Sequence, residues 1–303
     1  MKGKMKKNFR KNKLLKKIIK KIKKPYNLVK QACQSEKALK QFIRRDILRP
    51  IRHFFGIGLI KHWNFPLDIV FENEDFILIN KPAKILTHPT KKNEAQTLLN
   101  ALLFHLIKTR GLKNNYFKKN KLPGPISRLD KDTSGIVLFA ISDTSRSQLG
   151  KRMMKHGFSK KYQCLVQGKV SEPGEITVPL VKDPNHATRM KVLHTSHLHS
   201  EDMKIKESHT LYAPLQYFPE ENVTLLAVQI LTGRMHQIRV HMQSIQHPII
   251  GDILYGKKDI NIHFFDQYKL DRQFLHAVEF SWDDNIFQAP LTEDLQYVLK
   301  KLT

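Results

Sequence analysis

Cysteine is nearly absent from this chain, with Cys33 and Cys164 the two among 303 residues. Two thiols cannot build a four-thiolate zinc site, and a single possible pairing is no disulfide framework at this length, so a reducing compartment is expected. Long apolar runs are missing as well. None approaches the roughly 20 residues needed to cross a bilayer, which leads to the expectation of a soluble protein. Near the N-terminus lysines interrupt every apolar cluster, so neither the uncharged stretch nor the small-residue cleavage site of a secretory signal is expected there. Acids are scarce: 27 Asp and Glu face 53 Lys and Arg, a formal charge of +26. A surplus of that size attracts polyanions, of which RNA and DNA are the commonest in cells. No internal repeat is visible.

The surplus is concentrated at one end. Residues 1–62 hold 21 of the 53 basic residues and only two acids, Glu36 and Asp46. Within this arm, KLLKKIIKKIKK (13–24) sets Leu14, Leu15, Ile18, Ile19 and Ile22 at helical spacing with lysines on the other face, an amphipathic basic helix that Pro25 ends. Such a helix can grip RNA phosphates, stay a half-ordered tail or lie on a membrane surface. Residues 35–62 read as a second basic helical stretch. The composition changes near Phe65, and the chain divides on this reading into a basic N-terminal extension, 1–62, and a globular domain, 63–303.

The domain has the signals of a mixed sheet. DIVFENEDFILINKP (68–82) reads as a strand, an Asn-Glu-Asp turn and a second strand closed by Lys81-Pro82. A helix is expected over about 96–109. SGIVLFAIS (134–142) has the continuous apolar character of a buried strand, 143–157 reads as a helix ending at Gly157, and KKYQCLVQGKV (160–170) alternates like a strand. Further strands are expected at 174–178, 207–217 and 222–231, and a helix at about 234–246. Helices enter without a regular βαβα rhythm, so the fold class is α+β, a central mixed and mainly antiparallel sheet flanked by helices, preceded by a helical or disordered basic arm.

Two stretches carry residues with chemistry. GPISRLDKDTSGIVLFA (124–140) places Asp130 between a turn-rich loop and a buried strand, where a carboxylate can project into a cleft. By itself an Arg-Leu-Asp tripeptide is as readily a surface ion pair or a turn. LTGRMHQIRVHMQSIQHPIIGDILYG (231–256) crowds Arg234, His236, Gln237, Arg239 and His241 onto a helix start, which alone fits a solvated basic face contacting phosphates. His236 and His241 are five apart, unlike a helical zinc pair, and His194, His197 and His199 of HTSHLH lie in a polar segment that reads as a solvated loop. No metal site is expected. Asp252 reads as a turn residue capping the segment after Pro248.

Taken together, SRLDKDTSG and LTGRMHQIRVHMQSIQHPIIGDILYG resemble the paired signatures of the RluA family of RNA pseudouridine synthases. EDFILINKPAKILTHP (74–89), KKYQCLVQGKV, ITVPLVKDPNHATRMKV (176–192) and RQFLHAVEFSW (272–282) resemble further family blocks in the same order, so the likeness spans about residues 66–284. It implies a pseudouridine synthase-like fold and a cofactor-free isomerisation of uridine in ribosomal or transfer RNA: the C1′–N1 bond breaks, the base rotates, and C1′ joins C5. It places the catalytic aspartate on Asp130, the base-stacking tyrosine on Tyr162 and the paired arginine on Arg239. Arg239 would keep Asp130 ionised and oriented through a bidentate pair. Asp130 then acts as nucleophile toward C1′ or uracil C6, or as a base on a ribose proton. Without the likeness, Tyr162 reads as an aromatic packed in a strand core.

Arg128, Arg234, His236 and Gln237 are the substrate-binding candidates, Arg128 filling the space an extruded base leaves. Two positions depart from the family pattern: Ser127 stands where His is usual, and Lys84 where Gly enters a turn freely. The other reading of the same residues is an RNA-binding or ribosome-assembly protein that keeps the fold without the chemistry. A monomer in the cytoplasm is expected, ahead of an organelle matrix, with no membrane partner.

Overall fold

The structure, a computed structural model, describes residues 62–90, 96–111, 123–186, 188–193 and 205–303. The chain divides into two units, Met1–Ile60 and Lys61–Thr303. Both helical stretches expected before residue 62, and the histidines of HTSHLH, lie outside the described residues. No helix among the described residues is long and apolar enough to cross a membrane.

The second unit is built on a ten-stranded sheet. Strand β1 (Asp68–Glu72) turns back into β2 (Phe76–Lys81), and the turn is the expected Asn-Glu-Asp, because Asn73 Oδ1 accepts from the backbone of Asp75 and Phe76. Helix α1 (Leu98–Arg110) follows, ending at Gly111 in the left-handed conformation. Its His105 and Arg110 both reach Glu72 on β1. The two-residue β3 (Gly124–Pro125) leads through the loop bearing Asp130 into β4 (Ser134–Ala140), whose seven residues are all buried. A strand without polar alternation belongs in the middle of a sheet covered on both faces, and β4 lies between β2 and β11 (Leu275–Trp282).

Beyond β4 come helix α2 (Asp143–Met154), capped by Ser142, and β5 (Ser159–Gln167). Then follow β6 (Gly174–Ile176), the β7–β8 pair (Leu180–Lys182 and Met190–Val192), β9 (Thr210–Phe218) and β10 (Val223–Ile230). Helix α3 (Gln237–Ser244), helix α4 (Lys258–Tyr268), β11, β12 (Asn285–Gln288) and helix α5 (Glu293–Leu302) complete the order. The main path runs β1-β2-β4-β11-β5-β10-β9-β6, with β12 on β11 and β3 on β4; the β4–β11 pairing is parallel and the other named pairs are antiparallel. The mixed, mainly antiparallel α+β class read from the sequence is the class observed.

Strand alternation divides the core into two faces. Tyr162, Cys164 and Val166 of β5 pack with Leu226 and Val228 of β10 under Ile238 and Met242 of α3. Leu165 points the other way, into a cluster with Phe264 of α4 and with Leu295 and Val298 of α5, both fully buried. Each such aliphatic side chain contributes about 1.5–3 kcal/mol. Helix α3 is shorter than the stretch 234–246: residues 234–236 form a turn, and His236 enters the helix at φ 57°.

Gly135 sits where β4 meets β11 and has φ 113°, and a Cβ there would lie 2.3 Å from the carbonyl oxygen of Ala277. Only glycine permits this approach, which fixes the point at which the Asp130 loop runs into the sheet.

Candidate active site

A cleft of about 1050 Å³ opens at the end of β4, β5 and β10, with Asp130, Tyr162, Arg234, His236 and Arg239 on its walls. Its floor is set by the loop between β3 and β4. Thr87 Oγ1 donates to the carbonyl of Leu129, the buried Lys81 ammonium to that of Lys131, and Arg272 Nη1 to that of Asp132. Gln273 Nε2 adds a bond to Thr133 Oγ1. Four donors from elsewhere in the chain therefore hold the residues around Asp130 while its own carboxylate faces the cleft. Burial drops the Lys81 ammonium to about 7, countered by the charges of Asp132 and Asp130. Its three carbonyl partners, of Pro82, Ile85 and Lys131, tie the preceding turn to the Asp130 loop.

Asp130 and Arg239 meet as the sequence suggested, but the bidentate pair belongs elsewhere. Arg239 donates Nε and Nη2 to the two oxygens of Asp252, at 2.6 and 2.9 Å, and only Nη1 to Asp130 Oδ2, at 2.9 Å. Asp252 is fully buried and Arg239 is 5% exposed, whereas Asp130 keeps 26% of its side chain open. The guanidinium is thus anchored from behind and presents one N–H forward. Hydrogen bonds and both carboxylates raise the Arg239 guanidinium above its ordinary range despite its burial. Asp252 does cap the turn, accepting from the backbone of Leu254 and Tyr255 through Oδ1, and it also orients Arg239. A lone Asp in GDILYG carries no sign of that second task, because its partner lies 13 positions back on a helix.

Below the guanidinium lies the Tyr255 ring, 5.1 Å from Arg239 Cζ, a cation–π contact. The Tyr255 hydroxyl accepts from the Met190 backbone and sits 2.9 Å from His236 Nδ1. Its own proton is free to go to Nδ1, which leaves the imidazole proton on Nε2, 3.7 Å from Asp130 Oδ2. Burial depresses His236, outweighing the neighbouring carboxylates, and at neutral pH the ring is uncharged. Arg239 thus stands between two carboxyl groups, Asp252 behind it and Asp130 in front. Among the described residues, Asp130 Oδ1 has no protein partner, so the free oxygen faces the cleft.

Tyr162 enters the same cleft from β5, 7% exposed, and burial together with the Asp130 charge pushes its phenol well above the usual tyrosine range. It brings a ring with a neutral hydroxyl to the cleft wall. Arg128 is exposed on the loop, without a partner among the described residues, and Arg234 is exposed with Nε committed to the Glu207 carbonyl. Gln237, expected to bind substrate, lines the cleft with its amide held by protein. It is buried; its oxygen accepts from Thr232 Oγ1 and the Arg234 backbone, and its Nε2 donates to His209 O and Thr210 Oγ1. With its amide satisfied by protein, Gln237 shapes the turn that presents Arg234.

The two departures have local explanations. Ser127 Oγ accepts from the Leu138 backbone, fastening the loop to β4. Lys84 adopts φ 68°, the left-handed conformation a glycine would enter freely, and its ammonium pairs with Asp271. Sequence reading passed over Lys160, two residues before Tyr162 and on the same face of β5. The alternation of KKY held the signal.

A family model described as RNA pseudouridylate synthase matches residues 75–244. Among curated relatives, ribosomal large subunit pseudouridine synthase D of Zymomonas mobilis is 32% identical over 247 residues, 79% of this chain and 74% of its own. The protein of the same name from Buchnera aphidicola is 35% identical over 253 residues, again 79% and 74%. Two human structures share the fold at low identity. RNA pseudouridylate synthase domain containing 4 has a TM-score of 0.61 at 18% identity, covering 84% of this chain and 97% of that one. Domain containing 1 has 0.56 at 21%, covering 78% and 94%. With the Asp130 loop and the Arg239 helix both inside the matched span, the chain belongs to the RluA family of RNA pseudouridine synthases.

Proposed function

We propose that this synthase isomerises uridine in large-subunit ribosomal RNA, with Asp130 as its essential carboxylate, Arg239 as the group that holds it and Tyr162 as the platform for the extruded base. The ribosomal substrate follows the names of the bacterial relatives, which also favour the cytoplasm. The observation that carries the chemical reading is the chain Asp252–Arg239–Asp130, in which one carboxylate is spent on anchoring and the other is left with a free oxygen over the cleft.

The chemistry needs no oxidant or energy source. Arg239 engages Oδ2, so Oδ1 is the atom that attacks C1′ or uracil C6, or removes a ribose proton. The rigid anchoring of Arg239 means that Asp130 is oriented before substrate arrives, which saves reorganisation at the reacting step. A uracil freed from C1′ must stay bound while it turns, and a flat ring with an un-ionised hydroxyl provides a surface on which it can rotate. Because its phenol stays protonated, Tyr162 is no base for the C5 proton at neutral pH.

A uridine within folded RNA must leave its stack, at a cost of a few kcal/mol. Arg128, exposed beside Asp130, is suited to fill the gap. Residues 1–62 form, on this reading, a basic extension to the catalytic domain at 63–303, its charge adding phosphate contacts that strengthen binding without reading sequence.

The test is tritium release from unmodified large-subunit ribosomal RNA labelled at uracil C5. The intact protein should release label, Asp130→Asn should release none while binding the RNA, and Arg128→Ala should lose activity on folded but not on unfolded RNA. Release by Asp130→Asn would sink the assignment. RNA binding without release by the intact protein would point to a fold kept without its chemistry.

A further inference from the structure

Among the described residues, no anion meets the buried side-chain nitrogen of Lys160. The residue is 9% exposed, lines the cleft, and has among the described residues one hydrogen-bond contact from its side chain, the Met153 sulfur at 3.9 Å. A thioether is a weak acceptor, and a buried charge lacking a counter-charge is expensive to maintain. The next residue, Lys161, shows the ordinary alternative, pointing outward to an ion pair with Glu279 at 2.9 Å.

Position gives the charge a direction. Lys160 and Tyr162 share one face of β5, about 7 Å apart along the strand at the usual rise of two residues. Tyr162 feels the charge of Asp130, while Lys160 feels that of Arg234. Burial and that second cation both work against the ammonium, and neither is relieved by a carboxylate. Beside it lies Gly233, where even a Cβ would come only to within 3.6 Å of Nζ and no side chain intervenes. Arg234 spends Nε on the Glu207 carbonyl, and no contact to its two terminal nitrogens is seen among the described residues.

We infer that Lys160 Nζ, together with Arg234, seats a backbone phosphate of the RNA next to the uridine extruded over Tyr162. The phosphate supplies the anion that the fold withholds, and Met153 is a contact that a phosphate oxygen readily replaces. Lys160 thereby fixes the sugar–phosphate chain on one side of the base while Asp130 acts on the other. This rests on the assignment of Asp130 and Tyr162 to the isomerisation, and Lys160 is a substrate-binding residue in it, not a participant in bond making.

The test uses the full chain and an unmodified transcript of large-subunit ribosomal RNA, with binding titrated against salt and turnover followed by tritium release. Lys160→Met should lower the slope of log affinity against log salt by about 0.7–0.9, the loss of one phosphate contact. It should raise KM about tenfold with kcat within twofold, since an interaction made equally before and during reaction affects binding alone. Lys160→Arg should restore the slope. An unchanged slope and KM in Lys160→Met, or a fall in kcat at constant KM, would overturn the inference. Asp130→Asn separates the two levels: turnover by that variant defeats the catalytic assignment whatever Lys160 does, while an inactive Asp130→Asn beside an unaltered Lys160→Met defeats only the phosphate seat. If Lys160→Met does not fold, the intact enzyme decides by acetylation of Lys160 with acetic anhydride, read by peptide mass. Saturating transcript should protect it, and equal labelling with and without RNA would refute the contact.

Discussion

The two ends of the cleft handle charge in opposite ways. Asp130 itself belongs to a paired set: Arg239 is shared between two carboxylates, Asp252 is also bonded to two backbone amides, and the neutral His236 is held by Tyr255. Around Lys160, among the described residues, two cations stand near one another with no carboxylate between them. The closed end is organised by the protein before substrate arrives, and the open end is completed by substrate. Chemistry that depends on the orientation of one oxygen benefits from the first arrangement. Recognition of a polyanion benefits from the second, because unpaired cations cost stability that the RNA returns on binding.

The strongest way to break the contrast is to unpair the closed end. Asp252→Asn keeps an oxygen for the Leu254 and Tyr255 amides but removes the charge against which Arg239 is buried. Truncating one member of a buried pair costs about 3–5 kcal/mol. Urea unfolding should register a loss of that order, and tritium release should fall at least a hundredfold as Arg239 swings from Asp130. A stable, active Asp252→Asn would show that the guanidinium is held by Asp130 and Tyr255 alone.

That dependence also marks where sequence reading stopped. Asp130, Tyr162 and Arg239 were legible because each sits in a recognisable stretch, and the structure brings the three into one cleft. The assignment of Arg239's fork to Asp130 failed because a pairing partner is a matter of tertiary placement, and Asp252 looked complete as a turn cap. The bonding of Gln237 was hidden for the same reason: its four bonds go to residues 209, 210, 232 and 234, contacts that no helical pattern displays. Among the elements, β4 announced itself by its apolar run, whereas α4 and α5 were not anticipated. Helix α4 begins without a side-chain cap and carries mixed polarity, with Phe264 alone fully buried, so its period is faint. Strand β11 was noticed only as a family block, since its parallel partner β4 lies more than a hundred residues earlier.

A second, smaller effect sharpens the comparison by acid. His241 and His276 are buried and brought down to about 4, chiefly by desolvation. His241 lies on α3 beside the Arg239 turn, bonded to Thr210 and Ser208, and His276 bonds Ser134 where the Asp130 loop enters β4. Both are neutral in the fold and titrate near 6.5 when unfolded, so the unfolded chain takes up their protons first. Their contribution is complete above pH 6.5 and is lost as pH falls toward 4. Urea midpoints should fall between pH 7 and pH 5 by an amount equivalent to about 1–2 kcal/mol for each histidine. A flat stability profile from pH 7 to 5 would contradict this assignment of the two histidines.

The smallest effect concerns Lys84, on the turn behind the closed end. Its backbone at φ 68° costs a non-glycine residue about 1 kcal/mol or more, and the exposed pair with Asp271 returns no more than about 1 kcal/mol. The side chain therefore gives back at most what the backbone loses. Lys84→Gly should raise the melting temperature by a degree or two, and Lys84→Ala, which keeps the strained backbone and discards the pair, should lower it by a similar amount. Tritium release should be the same in all three proteins if the turn serves only as scaffold, because Lys81, and not Lys84, makes the bond to the Asp130 loop. Asp271, however, precedes Arg272, whose guanidinium grips the Asp132 carbonyl. A fall in turnover on Lys84→Gly despite the gain in stability would show that the ion pair presses on that grip, and the closed end would then extend one residue further than its hydrogen bonds indicate.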